Sequence, residues 1–167
     1  MAFVQNRMSR IAGKTRALPA SLRSMVLSRV FGRVVPFLST AGVRFEEVGS
    51  HRLAVSIANR RRAQNHIRGV HAAAMALLAE TATGFVVGMN MPDDKLMLLK
   101  SMHVDYLKRS QGAMRAVATL RDDDIVRFHH EERGEIKVPV TVTDESGQAP
   151  IECTMVWAWL PKKREEK

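Results

Sequence analysis

One acidic residue stands alone in the most apolar segment of this 167-residue chain. The segment reads QNHIRGVHAAAMALLAETATGFVVG, and the acid within it is Glu80. A buried carboxylate is costly unless it is paired, and partial burial raises its pKa toward the range of a general base. Two interpretations stand side by side: Glu80 is a catalytic base, or it is a structural acid paired with a base such as Lys100 or His71.

A helix is expected to begin at about His71, where Gly69 and Val70 lead into a run of alanines. Backbone N–H groups in the first turn of a helix are unpaired and carry partial positive charge. The small side chains of Ala72 and Ala73 leave these groups approachable, so the helix start can polarise a carbonyl or stabilise an oxyanion. His71 itself is interpreted first as a helix-capping or hydrogen-bonded histidine and second as a ligand-binding one.

Asn65 and Glu80 lie on either side of this helix start in the sequence. Asn65 precedes His71 by six residues and offers a side-chain amide that can position a ligand or a water molecule. Glu80 follows His71 by nine residues, or about two and a half turns, which places the two on opposite faces about 13 Å apart along the axis. Two antiparallel copies of the helix in a homodimer would bring Glu80 of one chain to the helix start of the other.

Neither a metal site nor a nucleophilic serine is predicted. The histidines lack an acid at a metal-binding spacing, and no serine lies in a strand-to-helix nucleophile motif. The single cysteine, Cys153, excludes an intrachain disulfide and a cysteine-based zinc cluster. One cysteine suits a reducing compartment and the N-terminus shows no secretory signal, so a cytoplasmic location is expected. The histidines considered are His66, His71, His103, His129 and His130, and the serines are Ser50, Ser101 and Ser146.

Hydrophobic periodicity predicts two helices and six strands around these residues. The first helix has an apolar stripe and ends at Pro36, and the second is apolar nearly all round. Asp122 to Asp124 are interpreted as an acidic turn, and Pro139 predicts an edge or a bulge within its strand. The helices are expected at 20–35 and about 70–88, and the strands as a pair within 42–61 and at 95–110, 112–120, 135–144 and 149–160.

This order of elements is typical of the α+β class. A helix that is apolar on all sides must be covered on nearly all sides, and a curved antiparallel sheet wrapped around one long central helix does so. A transmembrane span is the alternative, because the apolar run is almost long enough. The span is disfavoured because Glu80 and His71 lie inside the run, and an acid in the middle of a bilayer costs roughly 2.5–3.5 kcal/mol.

The formal charge of +9 is concentrated in a basic N-terminal arm, residues 1–40, that contains the amphipathic helix. Residues 1–45 hold eight basic side chains and no acid, which favours an anionic partner. The arm helix is interpreted as a cap on an open end of the domain or as a peripheral contact with anionic lipid, and the leader also resembles a transit peptide. Aromatic residues make up 5% of the chain and none is interleaved with the arginines, so no nucleic-acid partner is expected. Residues 41–162 are predicted to form one domain and 163–167 a charged tail.

The residues Asn65, His71-Ala72-Ala73 and Glu80 resemble the site motif of the hotdog-fold thioesterase superfamily, in particular of the phenylacetate-degradation type of acyl-CoA thioesterase. That type has an asparagine, a His-Gly-Gly turn six residues later, and an acid nine residues after the histidine. The resemblance extends over about residues 34–162, including VTDESGQAPIECTMVWAWLPKK, and is to a branch with an N-terminal helix. It implies the hotdog fold with an extra N-terminal amphipathic helix.

The resemblance also implies roles for individual residues. Asn65 and the backbone N–H near Ala72 would hold the thioester carbonyl, with His71 and Ala73 beside them in the site. Glu80 of the partner subunit would activate water or attack the thioester carbon. Ala72-Ala73 replaces the two glycines of the motif, which narrows access to the backbone, and Glu80 replaces the commoner aspartate.

Further substrate-binding residues are expected on the next strand and in the preceding turn. Leu99 cannot supply the polar group that such enzymes carry on that strand, so Lys100 or Ser101 is expected to do so. Four arginines flank the presumed site and suit the phosphates of coenzyme A, although a solvated turn is an equally simple interpretation. These are Arg60, Arg61, Arg62 and Arg68.

The leading prediction is an acyl-CoA hydrolase that acts as a homodimer or homotetramer, with the coenzyme A thioester as substrate and no other cofactor. Two alternatives remain. One is a non-catalytic hotdog protein that binds acyl-CoA or acyl carriers, and the other is a basic module associated with membranes or nucleic acid.

Overall fold

The computed structural model describes residues 6–162, so the first five residues of the basic arm and the predicted charged tail 163–167 lie outside the described residues. Within that range the chain forms five α-helices, one 3₁₀ turn and seven β-strands. In chain order they are α1 (Arg7–Lys14), α2 (Ala20–Val34), α3 (Pro36–Ala41), β1 (Val43–Val48), β2 (Arg52–Ile57), the 3₁₀ turn (Arg61–Ala63), α4 (Ala72–Gly88), β3 (Lys95–Tyr106), β4 (Met114–Thr119), α5 (Asp122–His130), β5 (Gly134–Val138), β6 (Val140–Asp144) and β7 (Ile151–Pro161).

The strands form two antiparallel sheets that are joined at Pro139. One sheet has the strand order β1-β2-β4-β6 and the other has the order β3-β7-β5. The prediction of one continuous strand over 135–144 is wrong, because the segment divides into β5, which pairs with β7, and β6, which pairs with β4. Pro139 has no N–H to donate, and its carbonyl accepts from the Thr119 N–H at 3.2 Å. The irregularity predicted at the proline thus carries the chain from one sheet into the other and curves the layer.

The central helix α4 lies against both sheets. It packs on β2, β4, β6, β7 and β3, and every residue from Thr81 to Gly88 is buried. Trp157 Nε1 donates to Thr83 Oγ1 at 2.9 Å, and the indole lies so close to Gly84 that a β-carbon there would come within 2.6 Å of it. Among residues 6–162, no helix combines the length and the hydrophobicity needed to cross a membrane. The predicted α+β class, with a curved antiparallel sheet around one long helix, is confirmed.

Strand β3 is 12 residues long and forms an edge of its sheet, where it pairs with β7. A bulge at Lys100 shifts the register between Leu99 and Ser101. Leu99 lies opposite Trp157 and therefore faces α4, whereas Ser101 lies opposite Val156 and faces away from α4. Large apolar side chains of this strand and of the residue after it remain exposed, namely Leu96, Leu98, Met102, Tyr106 and Leu107.

The N-terminal amphipathic helix predicted at 20–35 is α2, and three phenylalanines join it to the core. Phe31 of α2, Phe45 of β1 and Phe85 of α4 have ring centroids 4.7–4.9 Å apart. Pro36 ends α2 as predicted and also begins the short helix α3, because a proline is well tolerated at the first helical position.

Two further helices, α1 and α5, are absent from the sequence-based prediction. Asn6 caps α1 and donates its Nδ2 to the carbonyls of Gly88 and Met91, so tertiary hydrogen bonds hold this helix. The acidic turn predicted at Asp122 to Asp124 is wrong, because these residues form the first turn of α5. Their negative charges complement the positive end of the helix, and Ile125 and Phe128 bury its inner face.

Candidate active site

Helix α4 begins at Ala72, and His71 is its N-cap. The His71 backbone is extended, with φ −64° and ψ 142°, and its ring Nδ1 accepts a hydrogen bond from the Ala73 N–H at 3.1 Å. The N–H groups of Ala74 and Met75 donate to the His71 carbonyl. Among the backbone N–H groups from residue 72 to residue 75, only that of Ala72 has no acceptor within residues 6–162. His71 therefore has the capping role that its first interpretation predicts, and Ala72 presents the unused donor.

We expect His71→Ala to lower the free energy of unfolding by about 1 kcal/mol, which is the usual contribution of an N-cap side chain. His71→Asn keeps an acceptor for the Ala73 N–H and is expected to unfold at the wild-type urea concentration. Urea denaturation of the three proteins measures both effects. Equal stability of His71→Ala and wild type would mean that the ring does not stabilise the helix start.

The loop before α4 holds Asn65 in place through its backbone and its side chain. The Asn65 N–H donates to the Gly69 carbonyl at 2.9 Å, and Oδ1 accepts from the N–H groups of Ile67 and Gly69, each at 3.1 Å. Arg68 completes the loop with φ 63°, which is uncommon for a residue other than glycine. Since two backbone donors occupy Oδ1, the orientation of the amide is fixed. Its Nδ2 has no acceptor in the described part of the chain.

Asn65 and Ala72 line one cavity, of about 610 Å³, beside the start of α4. The facing wall is the segment after β3, which includes Leu107 and Ser110. Two buried polar atoms, Asn59 Oδ1 and Ser110 Oγ, have no hydrogen-bond partner within residues 6–162, and both residues line this cavity. Buried polar atoms without partners are rare in folded proteins. The wall of this helix-start cavity therefore contains polar groups whose hydrogen bonds the described chain does not supply.

Sequence reasoning missed the wall that follows β3. Tyr106 donates its hydroxyl to the Ala72 carbonyl at 3.0 Å and so links the end of β3 to the first residue of α4. Lys108 and Arg109 bring positive charge to the cavity, as does Arg68 from the opposite loop. The one signal in the sequence is the pair of basic residues directly after an apolar strand, which is equally typical of a solvated turn.

Glu80 lies further along α4, outside the helix-start cavity of its own chain. It follows Ala72 by about 12 Å along the axis. The pKa of Glu80 is raised because partial burial disfavours the charged form, and a hydrogen bond with Thr81 offsets part of the rise. No ion pair to Glu80 occurs in the described chain, where Lys100 is paired with Glu135 instead. Residues 6–162 hold no group of three or more His, Cys, Asp and Glu side chains arranged to bind a metal ion.

The raised pKa of Glu80 predicts that this residue makes folding pH-dependent. A carboxyl whose pKa is higher in the folded than in the unfolded protein stabilises the fold at acidic pH, and that stabilisation is lost as pH rises through the folded value. We therefore expect Glu80→Gln to be more stable than wild type at pH 7, with the difference vanishing below the ordinary glutamate value of 4.5. Urea titrations across this pH range test the sign, and a variant less stable at pH 7 would contradict it.

The predicted polar residues of β3 do not reach the helix-start cavity within one chain. Lys100 forms its ion pair with Glu135 of β5. Ser101 faces away from α4, while Leu99 faces it. The bulge at Lys100, which the sequence does not reveal, sets these directions.

The four predicted arginines do not lie together in the structure. Arg68 lines the helix-start cavity, whereas Arg60 and Arg62 line a second cavity next to α2 and α3. Arg61 lines neither of these two cavities. A short 3₁₀ turn over Arg61–Ala63 separates the neighbouring side chains.

Known proteins resemble this chain mainly in structure. A Pseudomonas aeruginosa protein of unknown function, described as a probable thioesterase, superposes with a TM-score of 0.74 at 19% identity, covering 87% of this chain and 97% of that chain. A thioesterase family protein from Silicibacter pomeroyi gives 0.64 at 15% identity, covering 81% and 96%. A Bacillus halodurans protein solved with CoA gives 0.63 at 18% identity, covering 95% and 97%. No curated protein matches the chain.

These superpositions confirm the hotdog fold. The family described as a domain of unknown function, DUF4442, matches residues 23–160, which include α4 and all seven strands except the last residue of β7. The chain therefore belongs to the DUF4442 family and has the hotdog fold.

Proposed function

We propose that this protein hydrolyses acyl thioesters of coenzyme A at a site shared by two copies of the chain. The observation that carries the proposal is a pair of unused donors, Asn65 Nδ2 and the Ala72 N–H, on the wall of one cavity. Two such donors suit one carbonyl oxygen and the negative charge that it gains during acyl transfer. The fold shared with thioesterases and the partly buried, unpaired Glu80 support the same reaction.

The exposed edge of β3 favours a homodimer. A long apolar edge strand is a template for pairing with another strand. Pairing of two β3 strands about a two-fold axis would extend the sheet across the dimer and set the two α4 helices antiparallel on the same face. Beyond Ala72, the only residues of α4 that are not buried are Ala73, Leu77 and Glu80. They lie on one stripe of the helix, which the second α4 would cover.

In this dimer Glu80 of one copy acts beside the helix start of the other. The carboxylate removes a proton from water while the water oxygen forms a bond to the thioester carbon. The carbonyl oxygen becomes negative and accepts hydrogen bonds from the Ala72 N–H and Asn65 Nδ2. Collapse of this intermediate breaks the C–S bond, and the proton held by Glu80 passes to sulfur. A raised pKa suits both transfers.

The basic residues of the cavity suit the coenzyme A portion of such a substrate. Arg68, Lys108 and Arg109 line the same cavity as the unused donors. Arginine forms forked hydrogen bonds with phosphate, and lysine contributes a point charge. The Bacillus halodurans protein that shares this fold was solved with CoA.

A second candidate is a hotdog protein that binds acyl-CoA without hydrolysing it. One observation favours it: the position on β3 that faces α4 is the apolar Leu99, while Lys100 is engaged with Glu135. The helix-start site thus draws no polar side chain from that part of the strand.

Thiol release from a panel of acyl-CoAs of increasing chain length tests the proposal against this alternative. Hydrolysis of one or more members above the buffer rate supports it, whereas acyl-CoA binding without release of thiol supports the second candidate. Light scattering after size exclusion tests the dimer separately, with an expected mass of twice the 18.7 kDa of one chain or a multiple of that. A monomer at assay concentration would contradict a shared site.

A further inference from the structure

The second cavity, of about 600 Å³, lies between α2, α3 and the start of β1 and is lined by four arginines. We call it the arginine cavity, and its arginines are Arg29, Arg44, Arg60 and Arg62. Hydroxyl groups of Ser21, Ser24 and Ser39 add to its polar lining. Gly42 makes room for the Arg62 guanidinium, because a β-carbon at Gly42 would lie 2.2 Å from Arg62 Nη2.

The positive charge of the arginine cavity is not neutralised within the described chain. No acid lines it, and within residues 6–162 none of its four arginines takes part in an ion pair or a side-chain hydrogen bond. The nearest acids along β1 are already engaged, since Glu46 pairs with Arg115 at 2.7 Å and Glu47 with Arg52 at 2.9 Å. Clustered cations without counter-ions repel one another, so this cavity is suited to bind anionic groups.

Exposed apolar side chains lie on the two helices that line the arginine cavity. Leu22 and Met25 occupy the outer stripe of α2 with Arg29, and Met25, which is 47% exposed, also lines the cavity. Phe37 on α3 is 59% exposed. Val34 and Val35 lie exposed at the junction of the two helices. Within residues 6–162, most exposed large apolar side chains thus lie in two places, this patch and the β3 edge, and the proposed pairing of β3 strands does not cover this patch.

We propose that the α2–α3 face docks on an anionic phospholipid bilayer, with a lipid phosphate in the arginine cavity and the apolar side chains among the acyl chains. Basic residues beside exposed apolar ones are the combination that holds a helix at a membrane interface. The basic side chains are attracted to anionic lipid, and the apolar side chains add affinity through their burial. The lining contains no aromatic side chain on which a nucleic-acid base would stack. This inference does not depend on thioester hydrolysis.

Sedimentation of the full chain with vesicles tests the proposal. We expect binding to vesicles of phosphatidylcholine mixed with phosphatidylglycerol, none to phosphatidylcholine alone, and weaker binding as salt is raised. Each basic residue near an anionic surface is worth about fivefold in affinity. Arg29→Glu/Arg44→Glu is therefore expected to weaken binding at least about 25-fold, and Phe37→Ser about fivefold or more through lost apolar burial.

The matched control is Arg133→Glu/Lys137→Glu, which makes the same change in net charge at exposed positions on β5 and in the turn before it. The control is expected to bind the anionic vesicles like wild type, apart from a small loss of affinity that comes from its lower net charge. Circular dichroism checks that all variants fold, and Arg44→Gln provides a milder change at the cavity itself.

Several results would overturn the proposal. One is equal binding to both kinds of vesicle, or binding to neither. Another is a loss of vesicle affinity in the control as large as the loss in Arg29→Glu/Arg44→Glu. Calorimetric binding of inorganic phosphate or CoA that depends on Arg44, without vesicle binding, would assign the cavity to a soluble anion. A smaller oligomer for Phe37→Ser would make the patch a contact between copies, and binding of a DNA duplex in place of vesicles would also overturn it. Acyl-CoA hydrolysis without vesicles is measured separately, so either proposal can fail alone.

Discussion

Glutamine in place of Glu80 is expected to lower kcat for acyl-CoA hydrolysis by about 10²- to 10⁴-fold, which is the usual contribution of a positioned general base. Glutamine has nearly the same size and still forms hydrogen bonds, but it cannot take a proton from water. KM is expected to stay near the wild-type value, because coenzyme A binding is assigned to Arg68, Lys108 and Arg109 and not to Glu80. Steady-state thiol release measures both constants.

The matched control for this change is Glu135→Gln, since Glu135 is an exposed acid paired with Lys100. It is expected to retain wild-type kcat. The pH profile gives an independent check: because the pKa of Glu80 is raised, wild-type kcat/KM should fall on acidification at a pH above the ordinary glutamate value of 4.5. Full activity of Glu80→Gln would remove this residue from the mechanism.

Ala72→Pro is expected to lower kcat by about 10²- to 10³-fold while the protein stays folded. Ala72 is the first residue of α4, where proline is well tolerated because the N–H makes no bond within the helix. The extended backbone of His71 is the conformation that a residue before proline prefers. The substitution therefore deletes the proposed carbonyl donor and keeps the carbonyl that accepts from Tyr106.

Ala72→Ser is the control for this variant, because it changes the side chain and retains the N–H. It is expected to keep most of the wild-type activity. Thermal unfolding of both variants separates a lost donor from a lost fold. A correctly folded Ala72→Pro with wild-type kcat would mean that the start of α4 does not hold the thioester carbonyl.

The sequence was informative where local pattern and chemistry coincide. Glu80 is conspicuous because its neighbours along α4 are apolar, and Asn65 and His71 are marked by their spacing from a run of small residues. The central helix could be predicted for the same reason, since its composition requires cover on nearly every side. Pro139 was recognised as an irregularity from its missing N–H alone.

Features that depend on tertiary contacts could not be predicted. The sequence of α5 resembles an acidic loop, and only the structure shows that Ile125 and Phe128 are buried. The hydrogen bond from the Tyr106 hydroxyl to the Ala72 carbonyl holds the end of strand β3 beside the start of α4. The two residues are more than thirty positions apart in the sequence, so their contact could not be predicted from a local pattern. The consecutive arginines at 60–62 looked like one phosphate-binding group, but the 3₁₀ turn sends them to different surroundings.

The most direct test of a site shared between copies is to combine two inactive variants, Glu80→Gln and Asn65→Ala, in one dimer. Each variant alone has a defect in both of its sites. A mixed dimer has one site with both substitutions and one site with neither, so random mixing should restore about a quarter of wild-type activity. Recovery near that fraction, after co-expression or co-refolding, is the result we expect. If every mixed dimer stays as inactive as its parents, Glu80 and Asn65 do not act across the interface, and the shared site is contradicted.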